Sequence, residues 1–114
     1  MIFHIVPLAD WTAAPELPYA PPSLGSAGFV HCSGDRATAL AIADAHYREA
    51  AGALLALEID EAALTAEVRR EGENGARFPH VHGPVNRDAV IHVWEVVRTP
   101  GSPASLAPWR PGPC

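Results

Sequence analysis

Residues 28–47 read GFVHCSGDRATALAIADAHY. A short apolar strand delivers a histidine, a cysteine and a serine, then turns directly into a helix. Side chains alternate faces along a strand, so Phe29, His31 and Ser33 share one face while Val30 and Cys32 take the other. Two hydrogen-bonding side chains on one face, beside a helix N-terminus, suit a polar or anionic ligand. The strand is expected over residues 29–33 and the helix over 36–50, where Leu40, Ala43, Tyr47 and Ala50 recur at helical spacing. Ser33 or Asp35 caps it, and Gly52 stops it.

The flanking sequence supplies the partners of this unit. IFHIV, residues 2–6, reads as a first strand closed by Pro7, with Ile2, His4 and Val6 on one face and Phe3 and Ile5 on the other. Residues 8–14 make one or two helical turns anchored by Trp11. Pro15, Pro18, Pro21 and Pro22 exclude a long regular element over 15–27. ALLALEI, residues 53–59, reads as a half-buried strand, and Asp60 caps a short helix over 61–66. Residues 67–71 are a short strand or a continuation of that helix. Residues 72–86 read as a loop. AVIHVWEVV, residues 89–97, is apolar on both faces, as in a central strand covered on both sides. The sequence predicts a single α+β domain over residues 1–98, with four to six strands in a split, mostly antiparallel sheet and one main helix. A Pro/Gly-rich tail, disordered or loosely docked, is expected over 99–114, with Trp109 as a pin.

Composition narrows the function classes. A net charge of −5 on 114 residues argues against non-specific nucleic-acid binding and against docking on anionic membranes. Two cysteines, one in an apolar strand and one at residue 114, are not a disulfide framework. No apolar run approaches a membrane span, and MIFHIVPLADW lacks the basic and apolar regions of a secretory signal. The expected setting is the cytoplasm. No phosphate-binding loop, dinucleotide fingerprint, nucleophile elbow or paired-cysteine zinc motif is present.

The candidate chemistry therefore rests on a few side chains. His31 and Ser33 face a ligand, or serve as a core-edge imidazole and a helix cap. Cys32 is accounted for as a small buried hydrophobe. His80 and His82 in FPHVHG have the spacing of a metal pair, with Glu71 or His31 as the third ligand, or sit as exposed imidazoles on a rigid turn. Glu71 orients a histidine, acts as a base, or pairs with an arginine. Glu95 lies on an apolar strand face and needs a partner or an exit to solvent. His4 matters if its face is shared with His31. Tyr19 closes over a cavity or packs on one.

FHI near the start, YAPPSLGSAGFVHCS in the middle and FPHVHGPV later together resemble an uncharacterised, mostly bacterial family, domain of unknown function 952. The resemblance spans residues 2–97. The family's second element has a tyrosine before its glycine where this chain has His82, so that hydroxyl is missing here. The family's fold is similar to that of the ADP-ribosyltransferase and RNA 2′-phosphotransferase group, which holds NAD in a split-sheet cleft. The resemblance implies that His4 contacts the nicotinamide ribose and that Phe29, His31 and Ser33 line the nicotinamide pocket. A glutamate, Glu71 or Glu95, would stabilise the oxocarbenium-like transition state.

Three functions are thus expected to compete. One is an NAD-dependent transferase or glycohydrolase using His4, His31, Ser33 and Glu71, with Tyr19, Phe29, Phe78, His80, His82 and Gly83 around the ligand. A second is a non-catalytic module that binds a nucleotide or another small anionic ligand in the same cleft. The third is a metal-dependent enzyme built on His80 and His82.

Overall fold

Two apolar segments, IFHIV and LLALEI, pair with one another. The computed structural model describes residues 1–47, 52–72 and 77–109. Strand β1 (Ile2–Pro7) runs antiparallel to β3 (Leu54–Ile59), with Ile2 opposite Ile59 and Val6 opposite Leu55. On the other side of β3 lies β6 (Val90–Val97), followed by β7 (Ser105–Pro108), giving a four-stranded sheet in the order β1-β3-β6-β7. Strands β2 (Val30–His31), β5 (Phe78–Val81) and β4 (Val68–Glu71) form a second sheet in the order β2-β5-β4. Every pairing is antiparallel.

The main sheet is buried on both faces around β3. Leu55, Leu57 and Ile59 pack with Ile2 and Val6 against Val30, Cys32 and Val81 of the second sheet. Leu54 and Ala56 pack with Phe3 and Ile5 against Ala39 and Ala43 of helix α3 (Arg36–His46). Strand β3 is therefore covered on both sides rather than half-buried. Burying each of its large aliphatic side chains contributes about 2 kcal/mol. Alanines on the inner face of α3 let the helix lie close on the sheet. The Asp35 carboxylate accepts the Thr38 N–H at 2.7 Å and caps α3, so Asp35 and not Ser33 fills that role. The expected extension of α3 to Ala50 lies outside the described residues beyond Tyr47. Gly52 has a φ of +82°, a left-handed conformation that glycine reaches without strain.

Short helices α1 (Leu8–Thr12) and α2 (Pro22–Ala27) flank the proline-rich segment, with Pro22 at the start of α2. Asp60 accepts the Ala62 N–H and starts a single 3₁₀ turn, Glu61–Ala63, shorter than the helix expected there. Residues 68–71 are a strand.

Several expectations are corrected. The loop over 72–86 contains β5, a strand despite Pro79. Cys32 N–H donates to the Pro79 carbonyl at 3.0 Å, and the ladder with β2 ends there, so the missing proline N–H is not needed. Strand β2 itself is two residues long. Strand β6 is central in the sheet but not covered on both sides. Ile59 pairs with Val90 and Glu58 with His92, so Ile91 is an extra bulge residue, and it is 50 % exposed. The tail is not loose up to Trp109: Val97 pairs with Ser105 and Trp94 with Pro108, Ala104 is buried, and Trp109 packs on the first core cluster. Seven strands stand among the described residues, one more than the largest number expected.

Candidate functional site

The two sheets touch along one edge and then part. Phe3 N–H donates to the Ser33 carbonyl at 2.8 Å, and Ser33 N–H to the Phe3 carbonyl at 2.7 Å. In an antiparallel ladder alternate residues point their backbone groups to opposite sides. Leu8 N–H bonds the Ala53 carbonyl, so even-numbered positions of β1 face β3 and odd-numbered ones face outward. Phe3 spends its outward groups on Ser33, and Pro7 has no N–H. The outward N–H and carbonyl of Ile5 have no partner among the described residues.

Ile5 also lines a cavity of about 490 Å³ between the diverging sheets. Phe3, His4, Ile5 and Pro7 form one side, and His31, Cys32, Ser33, Phe78 and His80 the other. Tyr19, Pro21, Asp10, Ile42 and Tyr47 complete it. Mostly apolar and aromatic walls with a few placed polar groups describe a small-molecule site. No lysine or arginine lines it, and its one formal charge is the Asp10 carboxylate.

His4 sits at the parting of the sheets, 8 % exposed. Its Nδ1–H donates to the His31 carbonyl at 2.5 Å. A carbonyl only accepts, so the proton is on Nδ1 and the neutral ring keeps an acceptor at Nε2. Burial lowers the His4 pKa to about 4, against a smaller rise from the backbone bond. Burial also lowers that of His31, with the nearby His80 as a second cause. Both rings are neutral at pH 7. Burial raises the Tyr19 phenol, which therefore stays a donor, and pushes the Cys32 thiol up to about 12, as befits an inert core cysteine.

Glu71, at the end of β4, gathers the second histidine pair. Its Oε1 lies 3.2 Å from His80 Nδ1 and 2.8 Å from His82 Nε2. These two bonds hold its carboxyl below the usual range. The Phe29 ring stacks on His80 at 4.0 Å and meets His31 edge-on at 4.7 Å. His80 thus has its ring plane fixed by Phe29 and one nitrogen fixed by Glu71, while the ring lines the cavity.

The structure brings His4, Tyr19, His31, Ser33, Phe78 and His80 to the cavity. Phe29, Glu71 and His82 stand behind His80 and do not line it. Gly83 is elsewhere: a Cβ there would lie 2.8 Å from Ala66 Cβ, so the glycine serves close packing, not a ligand. Glu95 is exposed on β6, which solves its placement by exit to solvent. His80 and His82 do converge on one carboxylate oxygen, yet no set of three or more His, Cys, Asp or Glu side chains among the described residues is placed to hold a metal ion.

The sequence reading missed Asp10, Tyr47 and the free edge of Ile5. Nothing in the spacing marks Asp10. Tyr47 was visible only as part of a helical core face. It also missed Arg87, whose Nε donates to the Leu17 carbonyl at 2.7 Å and whose Nη1 and Nη2 donate to the Trp11 and Ala14 carbonyls at 3.0 Å. Arg87 also covers the Trp11 ring at 4.2 Å. It holds the proline-rich segment, whose Tyr19 exchanges backbone hydrogen bonds with Val85, against the core.

No helix among the described residues is long and apolar enough to cross a membrane. Among solved structures, the chain is similar to protein CC0527 from Caulobacter crescentus, with 24 % identity and a TM-score of 0.78, covering 91 % of this chain and 92 % of that one. A double-methionine variant of the same protein matches at 23 % identity and a TM-score of 0.77, with the same coverage. These likenesses establish a shared fold. No curated protein matches the chain. A family's sequence model matches residues 5–93, and the chain belongs to that family, described as a protein of unknown function (DUF952).

Proposed function

We propose that the cavity holds the nicotinamide–ribose end of NAD or a related nucleotide, and that the protein is a transferase or glycohydrolase acting at that glycosidic bond. The observation that carries this reading is the unpaired N–H and carbonyl of Ile5. Side by side on a strand edge, they match the acceptor and donor of a carboxamide, with Phe78, Tyr19 and Tyr47 as apolar walls for its ring. The lining suits a neutral or cationic ring rather than an anion, since burial favours the neutral form of His4 and His31 and Asp10 is its one carboxylate. The split between two antiparallel sheets is also what an ADP-ribosyltransferase-like arrangement requires.

Chemistry in this reading belongs to His80. Glu71 takes its Nδ1–H and leaves Nε2 as an acceptor, the arrangement of an oriented general base. The glycosidic C–N bond breaks with its electron pair going to the ring nitrogen. Water adds to the ribose carbon, and its proton passes to His80. Glu71 is then a positioning residue, and the carboxylate that faces the ribose is Asp10.

One observation favours the non-catalytic alternative: no glutamate lines the cavity. Incubation with NAD separates the two. An enzyme releases nicotinamide, and His80→Ala lowers the rate at least about a hundredfold, while His80→Ala and Glu71→Gln leave nicotinamide binding within a factor of about two. Saturable binding without release at any pH between 5 and 9 would leave only the binding module.

A further inference from the structure

The segment held by Arg87 has a second cavity behind it, of about 290 Å³. Asp10, Tyr19 and Pro21 line both cavities, so the two chambers adjoin across the Tyr19 segment. Their charges differ. Arg87 lines the second chamber and not the first.

A guanidinium carries five N–H groups, and Arg87 spends three of them on the carbonyls of Leu17, Trp11 and Ala14. Those bonds fix the fork but do not neutralise it. Arg87 forms no ion pair with a carboxylate among the described residues. Its neighbour Asp88 bonds Asn86 instead. A cation that is half-buried, rigidly held and unpaired, with N–H groups to spare, is prepared for an anionic oxygen.

We infer that the second chamber is an anion subsite in which Arg87 receives a phosphoryl or carboxylate group of the same ligand whose ring occupies the first chamber. The ligand class is thus a ring–ribose joined to a phosphate, not a free base or nucleoside. For the ring this rests on the reading above; for the anion it rests on Arg87 alone. Asp10, at the junction, opposes the anion and favours a cationic ring.

Calorimetric titrations with NAD, nicotinamide mononucleotide, nicotinamide riboside and inorganic pyrophosphate test it. The phosphate-bearing ligands are expected to bind about tenfold more tightly than the riboside, an advantage that falls with salt. Arg87→Lys, checked for folding by circular dichroism, is expected to remove most of that advantage, read as the ratio of NAD affinity to riboside affinity within the same variant so that any loosening of the Tyr19 segment affects both ligands alike. Should Arg87→Lys not fold, Asp10→Asn carries the test, because Asp10 is exposed and hydrogen-bonds to nothing among the described residues. It is expected to tighten pyrophosphate two- to threefold (about the effect of one screened charge) and to weaken the riboside. Equal affinity for riboside and NAD would overturn the subsite while leaving the ring site standing. Pyrophosphate binding that depends on Arg87, with no binding of the riboside, would keep the subsite and defeat the ring.

Discussion

Between pH 7 and pH 4 the protein is expected to lose about 3 kcal/mol of stability through His4 alone. Unfolded, the imidazole titrates near its model value of 6.5; folded, it titrates at about 4. In that window the unfolded chain binds the proton and the native protein does not. The stability that comes from keeping His4 neutral is therefore fully present above pH 6.5 and is lost as the pH falls toward 4. His31, also lowered by burial, adds in the same direction. His4→Asn retains an amide donor for the His31 carbonyl and has nothing to titrate. Urea unfolding at several pH values is expected to show a steep acid slope in the wild type and a much flatter one in the variant. An equally steep slope in His4→Asn would place the proton uptake elsewhere.

The second large effect is at Arg87. Arg87→Ala removes three charge-assisted bonds to backbone carbonyls and the contact over Trp11, at a cost of about 3 kcal/mol. Arg87→Lys is expected to recover less than half, since an ammonium cannot reach three carbonyls in the geometry of a fork. Urea denaturation with an unchanged m-value is the readout. A loss below about 0.5 kcal/mol, the range of ordinary surface substitutions, would mean that the 11–17 segment does not depend on this clamp.

The alternation of IFHIV placed Ile2 and Val6 in one core cluster and Phe3 and Ile5 in the other, as the sequence predicts. The His4 ring meets the His31 backbone carbonyl because the Phe3–Ser33 bridge joins the two strands, a long-range pairing with no local signature. What stayed hidden depends on contacts between distant segments. Pro79 reads as a breaker, and it stands in β5 only because the β2 ladder ends at that residue. The tail reads as low-complexity, and it becomes an edge strand because β6 offers an open ladder to Ser105–Pro108. The Glu71 bond to His80 and His82 follows from the β4–β5 register, which opposes Glu71 to Phe78 and Arg69 to His80. Arg87 bonds residues 70 to 76 positions away in the chain, a relation with no local signature.

Ile5 is the pivot of the proposed nicotinamide site, with its outward N–H and carbonyl unpaired among the described residues where the two sheets part. The most direct measurement is the amide chemical shift of Ile5 in isotope-labelled protein during titration with nicotinamide, with nicotinic acid in parallel. A saturable downfield shift of the Ile5 amide is expected with nicotinamide, and a weaker response with nicotinic acid, which has no N–H for the Ile5 carbonyl. Saturable binding of nicotinamide with the Ile5 amide unmoved, or no binding at all, would contradict the proposed site.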